Sequence, residues 1–214
     1  MQFIELKNPR VLDILEKFRY LYREKYDVTK TNSNQISNMV DDMEEYTSEE
    51  YLRKVIASGK SHLGFPAKAY LWPIKPEHYK GDDSQYRIDF QEVNRELMTE
   101  LGLFKSALTA FYPPKGFIDW HNNANASSFN IVFTWSETGD GWFKWYDIEN
   151  DKIVTMKDKK GWSAKCGYFA SYEDELPLKY HCAYTNCFRM TLGFMLGKDT
   201  DYWEDMVDYI QCEE

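Results

Sequence analysis

The fold is decided by the stretch Ser127-Ser128-Phe129-Asn130-Ile131-Val132-Phe133-Thr134-Trp135. Its largest apolar side chains stand at every second position, which places them on one face of a β-strand and the remaining residues on the other. A turn signal follows at Thr138-Gly139-Asp140-Gly141, and the run from Trp142 to Ile148 resumes as a strand. The stretch therefore predicts a β-hairpin with one buried face.

The same character extends through the second half of the chain. From about Phe104 onward the sequence is rich in aromatic and β-branched residues, with turn signals at short intervals. Short strands are predicted at Lys152 to Met156 and at Tyr168 to Ser171. The run from Phe188 to Leu196 alternates again, and its large side chains share one face.

Helical spacing dominates the first half. Apolar residues recur every three or four positions from about Asn8 to Lys25. Thr47 and Glu50 form a candidate capping box for a helix that runs to about Ser58, and Gly59 is a natural stop. Further helices are predicted near Phe90 to Leu101 and at Asp199 to Gln211.

Helices followed by strands predict an α+β fold, a β-sandwich or jelly roll with helices packed on one sheet. The 214 residues are expected to form a single domain. Residues 1–103 make a mainly helical N-terminal region, residues 104–198 the β core, and residues 199–214 a C-terminal helix.

Composition excludes several classes of protein. The chain is 43% hydrophobic and 17% aromatic, as expected for a globular protein. Its formal net charge of -9 argues against broad nucleic-acid binding. The four cysteines form no CxxC pair, and neither a secretory signal nor an apolar run of membrane-spanning length is apparent. We therefore expect a cytoplasmic protein with no membrane partner.

Two histidines and an arginine are the candidate functional residues. His121 and His181 lie 60 positions apart, each beside a predicted strand, and Arg189 follows His181 by eight positions. On a strand, His121 and Asn123 point the same way, so with His181 they could supply three ligands on one side of a metal. Because Asn123 is a neutral donor, such a site would lack the usual carboxylate.

Arg189 lies on the polar phase of the last predicted strand, and Thr191 shares its face. A guanidinium pairs with a carboxylate in a fixed bidentate geometry, and a nearby hydroxyl can add a hydrogen bond to the same acid group. A dicarboxylate could then chelate a metal at one end and contact Arg189 and Thr191 at the other.

From about Tyr112 to Leu196 the chain resembles the double-stranded β-helix of the 2-oxoglutarate/Fe(II)-dependent oxygenases. The segment Phe169 to Leu196 is similar to the aspartyl/asparaginyl β-hydroxylase branch in its Phe before the distal His and its Phe188-Arg189 strand entry. The family pattern is HxD or HxE, a distal His, an Arg or Lys about ten residues on, and often Ser two residues later. Two departures are Asn123 in place of the acid and the spacing of eight. Shortening a turn by two residues keeps the strand phase.

The resemblance implies a double-stranded β-helix, of the jelly-roll or cupin-like kind, that acts as a dioxygenase (hydroxylase). It implies Fe(II) held by His121, Asn123 and His181, and 2-oxoglutarate held as cosubstrate by Arg189 and Thr191. No catalytic side chain beyond the metal site is expected. The hydroxylase branch also lacks the acid ligand, whereas halogenating relatives carry a residue smaller than Asn at that position. The substrate, a protein side chain or a small metabolite, stays open.

Other interpretations of the same residues remain. The chain could be an inactive β-helix that binds a small acid or another protein, or a cupin-like metalloprotein using zinc or manganese. Both histidines could be structural, Arg189 a simple salt-bridge partner and Asn123 a turn residue. Asp119 could compete as the acidic ligand, since it shares a strand face with His121. The tryptophans are expected to pack in the core more than to line a pocket: Trp135, Trp142, Trp145 and Trp162.

Overall fold

The computed structural model describes residues 1–30, 35–37, 39–59, 66–72, 84–123 and 127–213. Its helices are α1 (Pro9–Tyr20), which continues into one π-helical turn (Leu21–Lys25), α2 (Met43–Tyr46), α3 (Glu49–Ser58), α4 (Ser84–Glu100) and α5 (Thr200–Gln211). Its strands are β1 (Gln2–Ile4), β2 (Gln35–Ile36), β3 (Ala67–Lys68), β4 (Tyr70–Leu71), β5 (Lys105–Tyr112), β6 (Gly116–His121), β7 (Ser128–Ser136), β8 (Gly141–Asp147), β9 (Lys152–Lys157), β10 (Gly161–Phe169), β11 (His181–Thr185) and β12 (Arg189–Gly197).

The strands form two antiparallel sheets. Among the described residues the large sheet has the order β1-β10-β7-β12-β5-β4-β2, and the small sheet has the order β3-β6-β11-β8-β9. Strands β5, β7, β10 and β12 belong to the large sheet and β6, β8, β9 and β11 to the small one, in the pattern of an eight-stranded jelly roll. The hairpin predicted across Thr138-Gly139-Asp140-Gly141 was wrong, because this turn carries the chain from β7 in one sheet to β8 in the other. The predicted fold class, α+β with a double-stranded β-helix, is confirmed. The four short strands from the first 103 residues were not predicted, and each extends an edge of this core.

Each face of the large sheet has a separate role. The outer face carries the alternating apolar residues of β7 and β12, including Ile131, Phe133, Leu192 and Phe194, and packs against α1, α4 and α5. The inner face of the same strands is turned toward the small sheet. Alternation therefore separates a helix-covered core from an interior space between the sheets.

Helix α3 covers the small sheet instead. Its buried Leu52 packs with Trp120, Tyr146 and Tyr180 on the outer side of that sheet. Both sheets are thus covered by helices, one by the long helices and the other by α3.

The helix ends show how far local signals reach. Asn8 caps α1, because its side chain accepts hydrogen bonds from the backbone N–H groups of Arg10 and Val11. Gly59 ends α3 with a φ of 59°, as predicted. The predicted cap of α3 was one residue early: Ser48 is the N-cap, because Thr47 ends α2 and its hydroxyl donates to the carbonyl of Met43 in that helix. No helix in the described part of the chain is long and apolar enough to cross a bilayer.

Candidate functional site

A cavity of about 610 Å³ lies between the two sheets. All five residues that the sequence singled out line it: His121, Asn123, His181, Arg189 and Thr191. The two histidines come from the small sheet, and Arg189 and Thr191 come from the large one. Since the two sheets pack face to face and all five residues line the space between them, the two groups face each other across the cavity.

The histidines are neighbours on adjacent strands. His181 on β11 pairs directly with His121 on β6, and their ring centroids are 4.2 Å apart at an interplanar angle of 57°. Two imidazoles that bind one metal at about 2.1 Å and near a right angle place their centroids roughly 4.5 Å apart. The separation of the two rings is therefore compatible with a shared divalent metal.

Local backbone contacts orient both rings. Nδ1 of His121 is 2.7 Å from the carbonyl oxygen of Asp119, and Nδ1 of His181 is 2.9 Å from the carbonyl oxygen of Lys179. A carbonyl only accepts, so each Nδ1 donates its proton in this contact, and in the neutral ring Nε2 is then the nitrogen that can bind a metal. A histidine that binds a metal through Nε2 is commonly oriented by this kind of hydrogen bond.

A β-bulge decides which residues of β6 reach the cavity. Ala183 pairs with Ile118, whereas His181 pairs with His121, so β6 holds one extra residue between these pairs. The bulge removes Asp119 from the face of His121, and the expectation that the two share a face was wrong. Asp119 instead accepts a hydrogen bond from Tyr51 of α3 at 3.1 Å.

Asp119 is nevertheless close to the metal-binding candidates. It is 3% exposed, and one carboxyl oxygen lies 3.9 Å from Nδ1 of His121. Burial raises its pKa to about 7, against the hydrogen bond from Tyr51. The side chain is placed behind His121, where it can influence the ring without binding a metal itself.

The two histidines could supply two of the ligands of one divalent metal. No group of three His, Cys, Asp or Glu side chains suited to a metal occurs among the described residues. Asn123 lines the same cavity as the two histidines, so its amide oxygen is the protein donor available for a third position. All three donors are neutral, which leaves the full charge of the metal to be balanced by anionic ligands.

Arg189 forms the opposite wall and is 1% exposed. Its Nε donates to Asp158 at 2.8 Å, and one terminal nitrogen donates to the Thr191 hydroxyl at 2.7 Å. The guanidinium also lies over the Tyr112 ring, with its central carbon 5.3 Å from the centroid. These contacts hold the guanidinium in one orientation while its remaining N–H groups can meet a carboxylate.

Sequence reasoning missed two charged residues behind this wall. Asp158 follows β9, and Lys165 lies on the inner face of β10; their side chains are fully buried and 3.3 Å apart. The predicted strand at Tyr168 to Ser171 was too short and too late, because β10 spans Gly161–Phe169. Spacing with a period of two was the available signal, because Ala164 and Cys166 share one face of this strand. The lysine between them made the segment look exposed, so the strand was not recognised.

Aromatic side chains complete the histidine wall. The rings of Phe143 and Phe169 lie 5.5 and 5.0 Å from that of His181, and both residues line the cavity. Asn130, on the inward phase of β7, also lines it and donates to the Ser128 carbonyl at 2.8 Å. Four tryptophans pack in hydrophobic clusters, and none of them is among the described residues that line the cavity: Trp135, Trp142, Trp145 and Trp162.

Comparisons with known proteins add little to this picture. No protein-family model matches the chain, and no curated protein matches its sequence. Among solved structures, the chain is similar to a Pseudomonas putida prolyl-4-hydroxylase at 12% identity and a TM-score of 0.33, covering 81% of this chain and 96% of that one. It is also similar to a collagen prolyl hydroxylase of Paramecium Bursaria Chlorella virus-1 in complex with 2-oxoglutarate, at 12% identity and a TM-score of 0.32, covering 78% of this chain and 97% of that one.

A dioxygenase for auxin oxidation from Arabidopsis thaliana, also bound to 2-oxoglutarate, gives 11% identity and a TM-score of 0.38, over 88% of this chain and 78% of that one. Similarity at this level does not decide fold or function. The fold class follows from the sheet topology of the chain itself, and the site follows from its own geometry.

Proposed function

We propose that this chain is a 2-oxoglutarate- and Fe(II)-dependent oxygenase that hydroxylates a C–H bond of its substrate. The observation that carries the proposal is the cavity itself. One wall presents the imidazoles of His121 and His181 side by side, and the facing wall presents the Arg189 guanidinium beside the Thr191 hydroxyl. A five-carbon dicarboxylate about 6 Å long would reach from a metal on the histidine wall to the guanidinium on the facing wall.

Each residue has a defined task in this proposal. His121 and His181 would hold Fe(II), with the Asn123 amide or water in a third position. Arg189 and Thr191 would bind the far carboxylate of 2-oxoglutarate. Bound iron and 2-oxoglutarate together supply the oxidation, in which O₂ and the cosubstrate yield succinate, carbon dioxide and one hydroxyl on the substrate.

Charge balance supports this assignment despite the absent carboxylate ligand. Two neutral imidazoles and a neutral amide leave a divalent metal with its full charge, and 2-oxoglutarate carries two negative charges of its own. Asn123 is also the reason to place the chain near the aspartyl/asparaginyl β-hydroxylase branch, which dispenses with the acid. Phe143 and Phe169 would shield the metal side of the cavity from water.

The neutral Asn123 also favours a second candidate. A jelly roll that retained the cavity but lost oxidation would bind a small dicarboxylic acid and do no chemistry. Its binding residues on the Arg189 wall would be the same, so binding alone does not separate the two candidates.

Succinate formation separates them. The chain is incubated with Fe(II), 2-oxoglutarate, ascorbate and air, and succinate is followed by NMR. The oxygenase should release succinate slowly even without substrate, and His181→Ala and Arg189→Ala should each abolish that release. A rise in melting temperature with Mn(II) and 2-oxoglutarate, but no succinate under any condition, would favour the binding module. Zinc binding that ignores 2-oxoglutarate would favour the cupin-like metalloprotein.

A further inference from the structure

A buried polar cluster lies behind the Arg189 wall, formed by Thr134, Asp158, Lys165, Arg189 and Thr191. Asp158 is its centre, because one carboxyl oxygen accepts from Nε of Arg189 at 2.8 Å and the other is 3.3 Å from Nζ of Lys165. Nζ of Lys165 is also 3.4 Å from the Thr134 hydroxyl. The cluster connects three segments that are distant in sequence, β7, β12 and the turn and strand around β10.

The charges of the cluster do not cancel. It holds two cations and one carboxylate, and the Arg189, Lys165 and Asp158 side chains are 1%, 0% and 0% exposed. Burial alone would raise the pKa of Asp158, but Arg189 and Lys165 hold it below its ordinary value, so the carboxylate stays ionised. Within the described residues no second acidic side chain makes an ion pair with either cation.

A buried charge lowers the stability of the folded chain unless an opposite charge neutralises it. Arg189 and Thr191 line the cavity, whereas Asp158 and Lys165 do not. A ligand can therefore contact Arg189 directly, whereas it interacts with Lys165 only at a distance, through the electrostatic field. Without Lys165, the Asp158 carboxylate would neutralise Arg189 and leave the cavity wall with no net charge to attract an anion.

We propose that Asp158 and Lys165 are positioning residues of an anion-binding wall, on which Lys165 neutralises Asp158 so that the charge of Arg189 serves the ligand. Asp158 fixes the guanidinium by accepting from its Nε, and Lys165 sets the electrostatic potential of the wall. The inference rests on the proposed function in one respect, because 2-oxoglutarate is taken as the ligand.

The arrangement links ligand binding to a proton. Burial, opposed by Asp158 and reinforced by Arg189, lowers the pKa of Lys165 to about 8. The groups that face Lys165 are Asp158, the Arg189 guanidinium, the Thr134 hydroxyl and the Phe3 ring of β1, 5.4 Å from Nζ. A bound carboxylate adds a negative charge to this set and raises the pKa of Lys165, so binding near pH 8 takes up protons.

Calorimetry of the whole chain tests this directly. 2-Oxoglutarate is titrated into the Mn(II)-loaded protein in two buffers whose ionisation enthalpies differ, HEPES and Tris at pH 8 and MES and Bis-Tris at pH 6. At pH 8 we expect uptake of up to about half a proton per ligand, and at pH 6, where Lys165 is already charged, close to none. Binding at pH 8 without proton uptake would overturn the inference and leave the proposed function intact. Failure of 2-oxoglutarate to bind at all would overturn the proposed function and this inference with it.

A matched pair of variants assigns the proton. Lys165→Met should weaken 2-oxoglutarate binding at pH 7 on the order of tenfold and abolish the uptake at pH 8. Lys157→Met makes the same change in net charge at an exposed position of β9 and should alter neither quantity. Equal affinity and equal proton uptake in Lys165→Met and in the unmodified chain would contradict the role of Lys165.

Discussion

The two walls of the cavity are built by different means. On the small sheet, the rings of His121 and His181 are each oriented by a carbonyl two residues earlier in the same chain segment. On the large sheet, Arg189 is oriented by Asp158, which in turn needs Lys165, so that wall depends on charges brought together by tertiary structure. The histidine wall is therefore assembled by local backbone contacts. The arginine wall is assembled globally and is cationic, which is the combination that an anionic ligand of a metal would need.

The largest expected effect comes from removing one imidazole. Because only two histidines face the candidate metal position within the described residues, His181→Ala should weaken Mn(II) binding by about 100-fold or more. Binding is measured by the EPR signal of free Mn(II). The melting temperature of the metal-free variant should stay close to that of the unmodified chain. Unchanged Mn(II) affinity would show that the histidine wall does not bind a metal.

Removing the guanidinium should separate the two walls. In Arg189→Met, loss of ~3 kcal/mol of charge-assisted hydrogen bonding predicts about a 100-fold loss of 2-oxoglutarate affinity, with Mn(II) affinity unchanged within about twofold. Calorimetry of the Mn(II)-loaded variant measures the first quantity and EPR the second. Arg189→Lys keeps the positive charge but lacks the bidentate guanidinium, so its 2-oxoglutarate affinity should fall between those of the unmodified chain and Arg189→Met. A parallel loss of metal affinity would mean that the walls are not independent.

A carboxylate at position 123 should strengthen the histidine wall. If Asn123 occupies the third ligand position, Asn123→Asp replaces a neutral donor by an anionic one and should tighten Mn(II) binding by roughly tenfold. Asn123→Ala is the control and should have a much smaller effect, because water can replace an amide ligand. Equal Mn(II) affinity in all three proteins would remove Asn123 from the metal site.

The smallest effect concerns the stability of the cationic wall. Lys165 is held at a pKa of about 8 in the folded chain and returns to its ordinary, higher value on unfolding. Between these two pKa values the unfolded chain binds more protons than the folded chain, so the free energy of unfolding rises with pH from about 8 upward. Below about pH 8, Lys165 is charged in both states, and the full cost of burying its charge lowers the stability. Lys165→Met should therefore be more stable than the unmodified chain at pH 7, by on the order of 1–2 kcal/mol.

Urea denaturation at pH 7 and pH 9.5 checks this expectation, since the advantage of Lys165→Met should shrink at the higher pH. Lys157→Met serves again as the reference. An equal difference at both pH values would show that the Lys165 charge does not oppose folding.

The same contrast explains what could be predicted from the sequence. Strict alternation in β7 and β12 predicted which face packs against helices, and it placed Arg189 and Thr191 on the inner face, because period-two spacing is a local property. The histidines could be paired because each borders a predicted strand and family resemblance joins them. The capping of α3 was displaced by one residue, since Thr47 already bonds to α2.

Non-local features were beyond the same reasoning. The β-bulge in β6 moved Asp119 off the cavity face, and one extra residue in a strand has no signature in an alternating pattern. The strand β10 was not recognised in full because a lysine is normally exposed, whereas Lys165 is buried in an ion pair with Asp158. Both cases depend on a partner from another part of the chain, which a sequence pattern does not reveal.

Anomalous diffraction from crystals grown with Mn(II) and 2-oxoglutarate tests the central claim most directly. The account predicts one manganese peak at about 2.0–2.3 Å from Nε2 of both His121 and His181, with the chelating end of 2-oxoglutarate on the metal and the far carboxylate on Arg189 and Thr191. A manganese peak that touches only one of these rings, or a ligand whose far carboxylate lies away from Arg189, would contradict it.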